Sequence, residues 1–73
     1  MSDWMEAFMA TLTDRERQVV TLLGRGMAPK QIARQLGTQP ATVRQQLFQA
    51  RNKAGCASTV ELAVKVATDD RSP

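Results

Sequence analysis

The chain contains no histidine and a single cysteine, Cys56. Without histidine, Ser-His-Asp and Cys-His catalytic arrangements are excluded, and most transition-metal sites go with them. One cysteine permits neither an internal disulfide nor a zinc-finger ligand set. A lone thiol also belongs more naturally in a reducing compartment. Long apolar runs are missing: VVTLL is far too short to span a bilayer, and MSDWMEAFMA lacks the basic start and continuous apolar stretch of a signal peptide. Gly24-Arg25-Gly26 follows a helical pattern and leads to Pro29, which is not the setting of a nucleotide-binding glycine loop. Together these absences predict a chain that is not an enzyme, takes no cofactor or metal, and resides in the cytoplasm away from membranes.

What is present is a basic, helical sequence of 73 residues. That length allows one small domain. Such a chain buries only about 60% of its unfolded surface, so added stability must come from helix packing or self-association. The formal charge is +3, and its distribution is uneven. From Asp14 to Lys53 there are eight basic residues against Asp14 and Glu16, whereas Asp3, Glu6, Glu61, Asp69 and Asp70 crowd the ends. A basic middle between acidic ends suits a polyanion-binding face, although a merely solvated surface has the same composition.

Apolar spacing is helical throughout, and no stretch alternates as a half-buried strand does. A lead-in over about 3–10 places Trp4, Phe8, Met5 and Met9 on one stripe, which must dock on the domain or on a partner. The first core helix opens with a capping box, Thr13 and Glu16, and ends at Gly24 and Gly26. The second starts at Pro29, buries Ile32, Ala33 and Leu36, and stops at Gly37. Two short helices around a glycine turn form a helix-turn-helix signature. The third runs from Pro40 to Ala54 and stops at Gly55. Val43, Leu47, Ala50 and Ala54 share one side of it, while Ala41, Arg44, Gln45, Phe48, Arg51 and Asn52 share the other. The fourth has a second capping box, Ser58 and Glu61, and continues to about Ala67. The expected fold is therefore all-α, four helices with a short amphipathic lead-in, divided as 1–11, 12–67 and a flexible tail 68–73.

The ordered segments LTDRERQVVTLLGRGM, KQIARQLG, TVRQQL, then Lys53, Gly55 and STVELAV, resemble the LuxR/GerE-type helix-turn-helix family of bacterial transcription regulators. The resemblance covers about Leu12 to Ala67. It implies sequence-specific binding of double-stranded DNA, usually as a homodimer, with Arg44, Gln45 and Phe48 facing bases and Thr42 at a phosphate. Residue chemistry agrees, since Arg pairs bidentately with guanine and Gln with adenine in the major groove. Lys30, Arg51, Asn52 and Lys53 complete the candidate DNA-binding set. The fourth helix, apolar over more than half its circumference, is expected to form the dimer interface through Val60, Ala63, Val64 and Ala67; burial under the lead-in is the alternative. Thr38, Ala50 and Ala54 stand where relatives usually carry larger aliphatics, which predicts an underfilled core. Ala28 replaces a polar cap at a cost of about 1 kcal/mol. Cys56 reads as small apolar packing.

Phe48 has three readings: contact with a thymine methyl or sugar, a protein interface, or cover beneath Trp4 and Phe8. At the level of function, the first expectation is a stand-alone DNA-binding regulator without a sensor domain. An anti-activator that pairs with a larger regulator through the dimer helix, Trp4, Phe8 and Phe48 is the second. A sigma-factor region 4-like module is the third, because LTDRER and TVRQQ also resemble that family; the capped fourth helix argues against it.

Overall fold

The computed structural model describes residues 3–71 in backbone and 3–69 in side chains. Its elements are α1 (Asp3–Ala10), α2 (Asp14–Gly24), α3 (Pro29–Leu36), α4 (Pro40–Ala54) and α5 (Thr59–Arg71), with no strand among the described residues. The cap at Thr13 forms as the sequence predicts. Thr13 Oγ1 accepts from the Glu16 N–H at 3.1 Å, and Glu16 Oε1 accepts from the Thr13 N–H at 2.9 Å. α3 starts at Pro29 without a side-chain acceptor at Ala28, but Gln31 Oε1 accepts the Ala28 N–H at 2.8 Å, so half of the box survives. α4 stops at Gly55 (φ 73°), a left-handed conformation that only glycine adopts at little cost, and the Cys56 N–H bonds back to the Arg51 carbonyl at 3.1 Å.

Two sequence expectations change at the helix ends. α5 extends four residues past Ala67 to Arg71, so 68–71 of the stretch read as a tail are helical; 72 and 73 lie outside the described residues. At the start of α5, the Glu61 N–H donates to Ser58 Oγ at 3.1 Å, but the return bond goes from the Ala57 N–H to Glu61 Oε2 at 3.1 Å.

The buried residues fall into two clusters that share α2 as a wall. Val19 and Leu22 pack with Ile32, Ala33, Val43 and Leu47 to hold the α2–α3–α4 unit. Val20, the next residue round the helix, packs instead with Met5, Phe8, Leu12, Ala50, Cys56, Leu62 and Val66. The lead-in stripe therefore docks on its own domain. Trp4 stacks on Phe8 with ring centroids 5.1 Å apart, and Lys65 of α5 places its Nζ 4.4 Å from the Trp4 ring centroid. Arg17 of α2 closes the other end of α1, donating from Nε to the Met9 carbonyl at 3.0 Å. Ala50 is fully buried in the cluster that also takes in Met5 and Phe8. Cys56 is buried there too, as apolar packing.

Gly24 has a different role from the one its position suggests. It is the last helical residue of α2, and the left-handed turn falls to Gly26 (φ 93°). A Cβ on Gly24 would lie 2.8 Å from Val66 Cγ1, so the missing side chain is what lets α5 approach α2. Valine is stiff about χ1 and yields poorly to such a clash. Gly24→Ala is thus expected to destabilise the domain by about 1 kcal/mol, because overpacking outweighs the helix propensity gained. Thermal denaturation checks this, with a fall in Tm of about 4–8 °C expected. The same substitution in a Val66→Ala background should be much less harmful than the sum of the two; strict additivity would remove the steric explanation.

Candidate nucleic-acid interface

α4 is held by its inner side chains and offered to solvent by its outer ones. Val43, Leu47 and Ala50 are buried, and α3 and α2 pack against it. Thr42, Arg44, Gln45, Phe48 and Asn52 are exposed. The first turn of α4 begins with Pro40 and takes no side-chain cap from Gln39. Its orphan N–H groups are therefore available to an anion, and the helix dipole favours one there. Beside this turn, Lys30 and Arg34 of α3 line a shallow cavity of about 270 Å³ together with Thr38 and Pro40. Arg34 was not singled out in the sequence; its spacing of four from Lys30 on one helix was the available signal.

The remaining predicted basic residues are not simply displayed. Arg51 is half-buried. Its Nη1 donates to the Cys56 and Ala57 carbonyls at 3.0 and 3.1 Å, and its Nη2 donates to Asn52 Oδ1 at 2.8 Å. Its guanidinium also lies 4.8 Å from the centroid of the Phe48 ring. Arg51, Asn52 and Phe48 thus form one unit that fastens the loop between α4 and α5. Lys53 is tied as well, with Nζ 2.8 Å from Glu16 Oε1. No long-range pairing of this kind is visible in a linear sequence. Phe48 is 51% exposed, while Phe8 is buried in the cluster with Met5 and Leu62 and Trp4 packs against it. The lead-in does not cover Phe48, contrary to the third of the sequence expectations for this ring.

The expected α5 surface is only partly outward. Val60 and Val64 are 72% and 60% exposed, whereas Ala63 and Ala67 are half-buried beside Leu23 and Gly26. Burial under the lead-in is overturned for the two valines, since α1 packs on the side of α5 that carries Leu62 and Val66. Among the described residues no group of His, Cys, Asp and Glu side chains is arranged to hold a metal, and no helix is long and apolar enough to cross a membrane.

An outward polar and basic helix, anchored on the second of two short helices, is the geometry of a DNA-reading helix-turn-helix. A family profile described as "Sigma-70, region 4" matches residues 2–53, from α1 to the last turn of α4. The chain belongs to the sigma-70 region 4 family of helix-turn-helix domains. The capped α5 does not argue against that membership, as the sequence reading held, because the match ends before it begins. The LuxR/GerE-type resemblance stands beside it. The transcriptional regulatory protein UhpA of Escherichia coli, a LuxR/GerE-type regulator, is 48% identical over 52 residues, 71% of this chain and 26% of its own length. UhpA of Salmonella typhimurium matches with the same identity and coverage. The chain thus spans about a quarter of the curated relatives it matches. No solved structure matches it significantly. The domain is of the DNA-binding class rather than of an enzyme class.

Glu16 gives the stability of the fold a pH dependence. It is a nearly buried carboxylate, and the hydrogen bond from Lys53 holds its pKa below the usual value against the opposing effect of burial; the Thr13 N–H adds to the lowering. A group whose folded pKa is depressed contributes stability above its unfolded pKa and loses it as pH falls through the folded one. Unfolding by urea should therefore show a Glu16 contribution that is complete at pH 7 and fades below about pH 4.5. Glu16→Gln should reduce stability at pH 7 and flatten that acid limb. An unchanged acid limb in the variant would assign the pH dependence to other carboxylates.

Proposed function

We propose that this domain is the sequence-reading part of a transcription regulator, entering the major groove with α4 and pairing with a second copy through α5. The observation that carries the reading is the outward α4 face. Arg44, Gln45 and Phe48 are exposed together there, while Val43, Leu47 and Ala50 fix the helix from behind. A helix fits the major groove, and Arg and Gln supply donors for guanine and adenine edges. Thr42, Lys30 and Arg34, near the uncapped first turn of α4, supply phosphate contacts that set register. Arg51, Asn52 and Lys53 add charge and polar groups to the same end of the helix but act first on the frame, through the loop carbonyls and Glu16. The similarity to UhpA, a protein named as a transcriptional regulator, supports the regulatory role.

Selection from a random duplex pool with the purified protein tests the reading. The expected result is a two-fold symmetric site whose affinity falls with salt at a log–log slope of about −0.9 per neutralised phosphate. Arg44→Ala should cost about 1–3 kcal/mol and relax preference at one base position. Lys30→Ala should weaken all sequences alike and reduce the slope by about one. Failure of the folded protein to enrich any sequence would overturn the proposal.

Self-association through α5 is supported by Val60 and Val64, which are exposed on a surface continuous with an apolar groove of about 300 Å³ lined by Leu23, Met27 and Leu47. A two-fold contact places the same patch on both copies. Val64→Asp should turn a dimer into a monomer in sedimentation equilibrium while leaving the helical signal intact. A wild-type protein that stays monomeric when bound to its symmetric site as single half-site complexes would remove this part of the proposal. The alternative of an anti-activator retains Val60 and Val64 but loses Trp4 and Phe8, which are folded against their own domain.

A further inference from the structure

Phe48 is an exposed aromatic ring on a polar and basic helix face, and it does nothing for phosphate binding. Phe48 lies about 40° around α4 from Arg44 and about 60° from Gln45, at about 100° per residue, so it shares the surface that these two present. The ring is also held in place. Arg51 covers it at 4.8 Å from the centroid, and that guanidinium is itself fastened by the Cys56 and Ala57 carbonyls and Asn52. Anchorage of the cation on three acceptors restrains the ring beneath it, so less freedom remains to be lost on binding. The ring stands apart from the apolar grooves beside α5, which are lined by Leu47, Val60 and Val64 rather than by Phe48.

The major groove offers one apolar group on its floor, the C5 methyl of thymine. An aromatic ring on the reading face, with a cation stacked on it to offset the negative surroundings, is complementary to that group. We propose, resting on the assignment of α4 as the major-groove helix, that the Phe48–Arg51 pair is a methyl reader that recognises a thymine by its C5 methyl. Phe48 makes the contact, and Arg51 is the positioning residue. The pair senses the methyl and not the pairing edge of the base, so a 5-methylcytosine at that position satisfies it where cytosine does not.

The test uses the full chain and the duplex recovered by selection, with each thymine replaced in turn by deoxyuridine, which lacks only the methyl. Loss of one buried methyl corresponds to about a fourfold drop in affinity. That drop is expected at one thymine of each half-site, and Phe48→Ala should bind thymine and deoxyuridine duplexes equally there. Arg44→Ala should keep the methyl dependence while losing preference at a different base. Arg51→Lys, which keeps the charge but not the paired bonds to the loop, should weaken the methyl dependence. Phe48 is exposed, so its replacement is not expected to unfold the domain, and Phe48→Leu, with a smaller apolar contact, should give an intermediate value. Sequence-selective binding that is indifferent to every deoxyuridine overturns the methyl reader and leaves the proposed function standing. A dependence that persists in Phe48→Ala overturns the assignment to Phe48, and DNA binding untouched by Phe48→Ala makes the ring a protein-facing group instead. Absence of any sequence-selective binding overturns the proposed function, and the methyl reader with it.

Discussion

The carboxylate of Glu16 joins the first turn of α2 to the last turn of α4. One oxygen accepts both the Thr13 N–H and the Lys53 ammonium, across 37 positions of sequence. Because it is nearly buried, neither bond is diluted by solvent as a surface ion pair is. Removal of Lys53 leaves a nearly buried carboxylate unpaired rather than a missing surface contact. The direction of α4 relative to α2 is therefore set at both levels at once. Leu47 and Val43 fix its distance from α2 and α3 through apolar packing, and Glu16 fixes its last turn through charge. An interface made of side chains on α4 depends on that direction more than on any single contact it makes.

Two adjacent valines explain how so short a chain supports five helices. Val19 and Val20 are about 100° apart on α2, and each enters a different cluster. Leu23 packs against both, so the helix-turn-helix unit and the α1–α5 layer are parts of one packed interior. α1, too short to be stable alone, is secured by Met5 and Phe8 within, by Arg17 at its end and by Lys65 over Trp4.

Most helix boundaries were legible because they rest on local chemistry. Thr13 with Glu16, Pro29, Pro40, Gly37 and Gly55 act within one turn of the chain, and their effects depend on neighbours a few residues away. The outward face of α4 was legible for the same reason, as a periodic pattern. Gly24 was misread because its cause is Val66, forty-two residues away and on another helix. The sequence alone offers Arg51 and Lys53 as DNA-binding residues, because the loop carbonyls and the carboxylate that hold them are brought near only by folding. The extension of α5 past Ala67 was missed because the polar residues that follow carry no apolar period.

The outward residues Arg44 and Gln45 belong to neither buried cluster and to none of the bonds that fasten the loop or the caps. Their replacement leaves the interior unchanged. A lineage carrying this domain is therefore free to vary at these two positions without passing through unfolded intermediates. Phe48 is the exception on that face. Its ring lies against Arg51, the residue that fastens the joint between α4 and α5. Divergent copies should vary first at 44 and 45, and change 48 and 51 together.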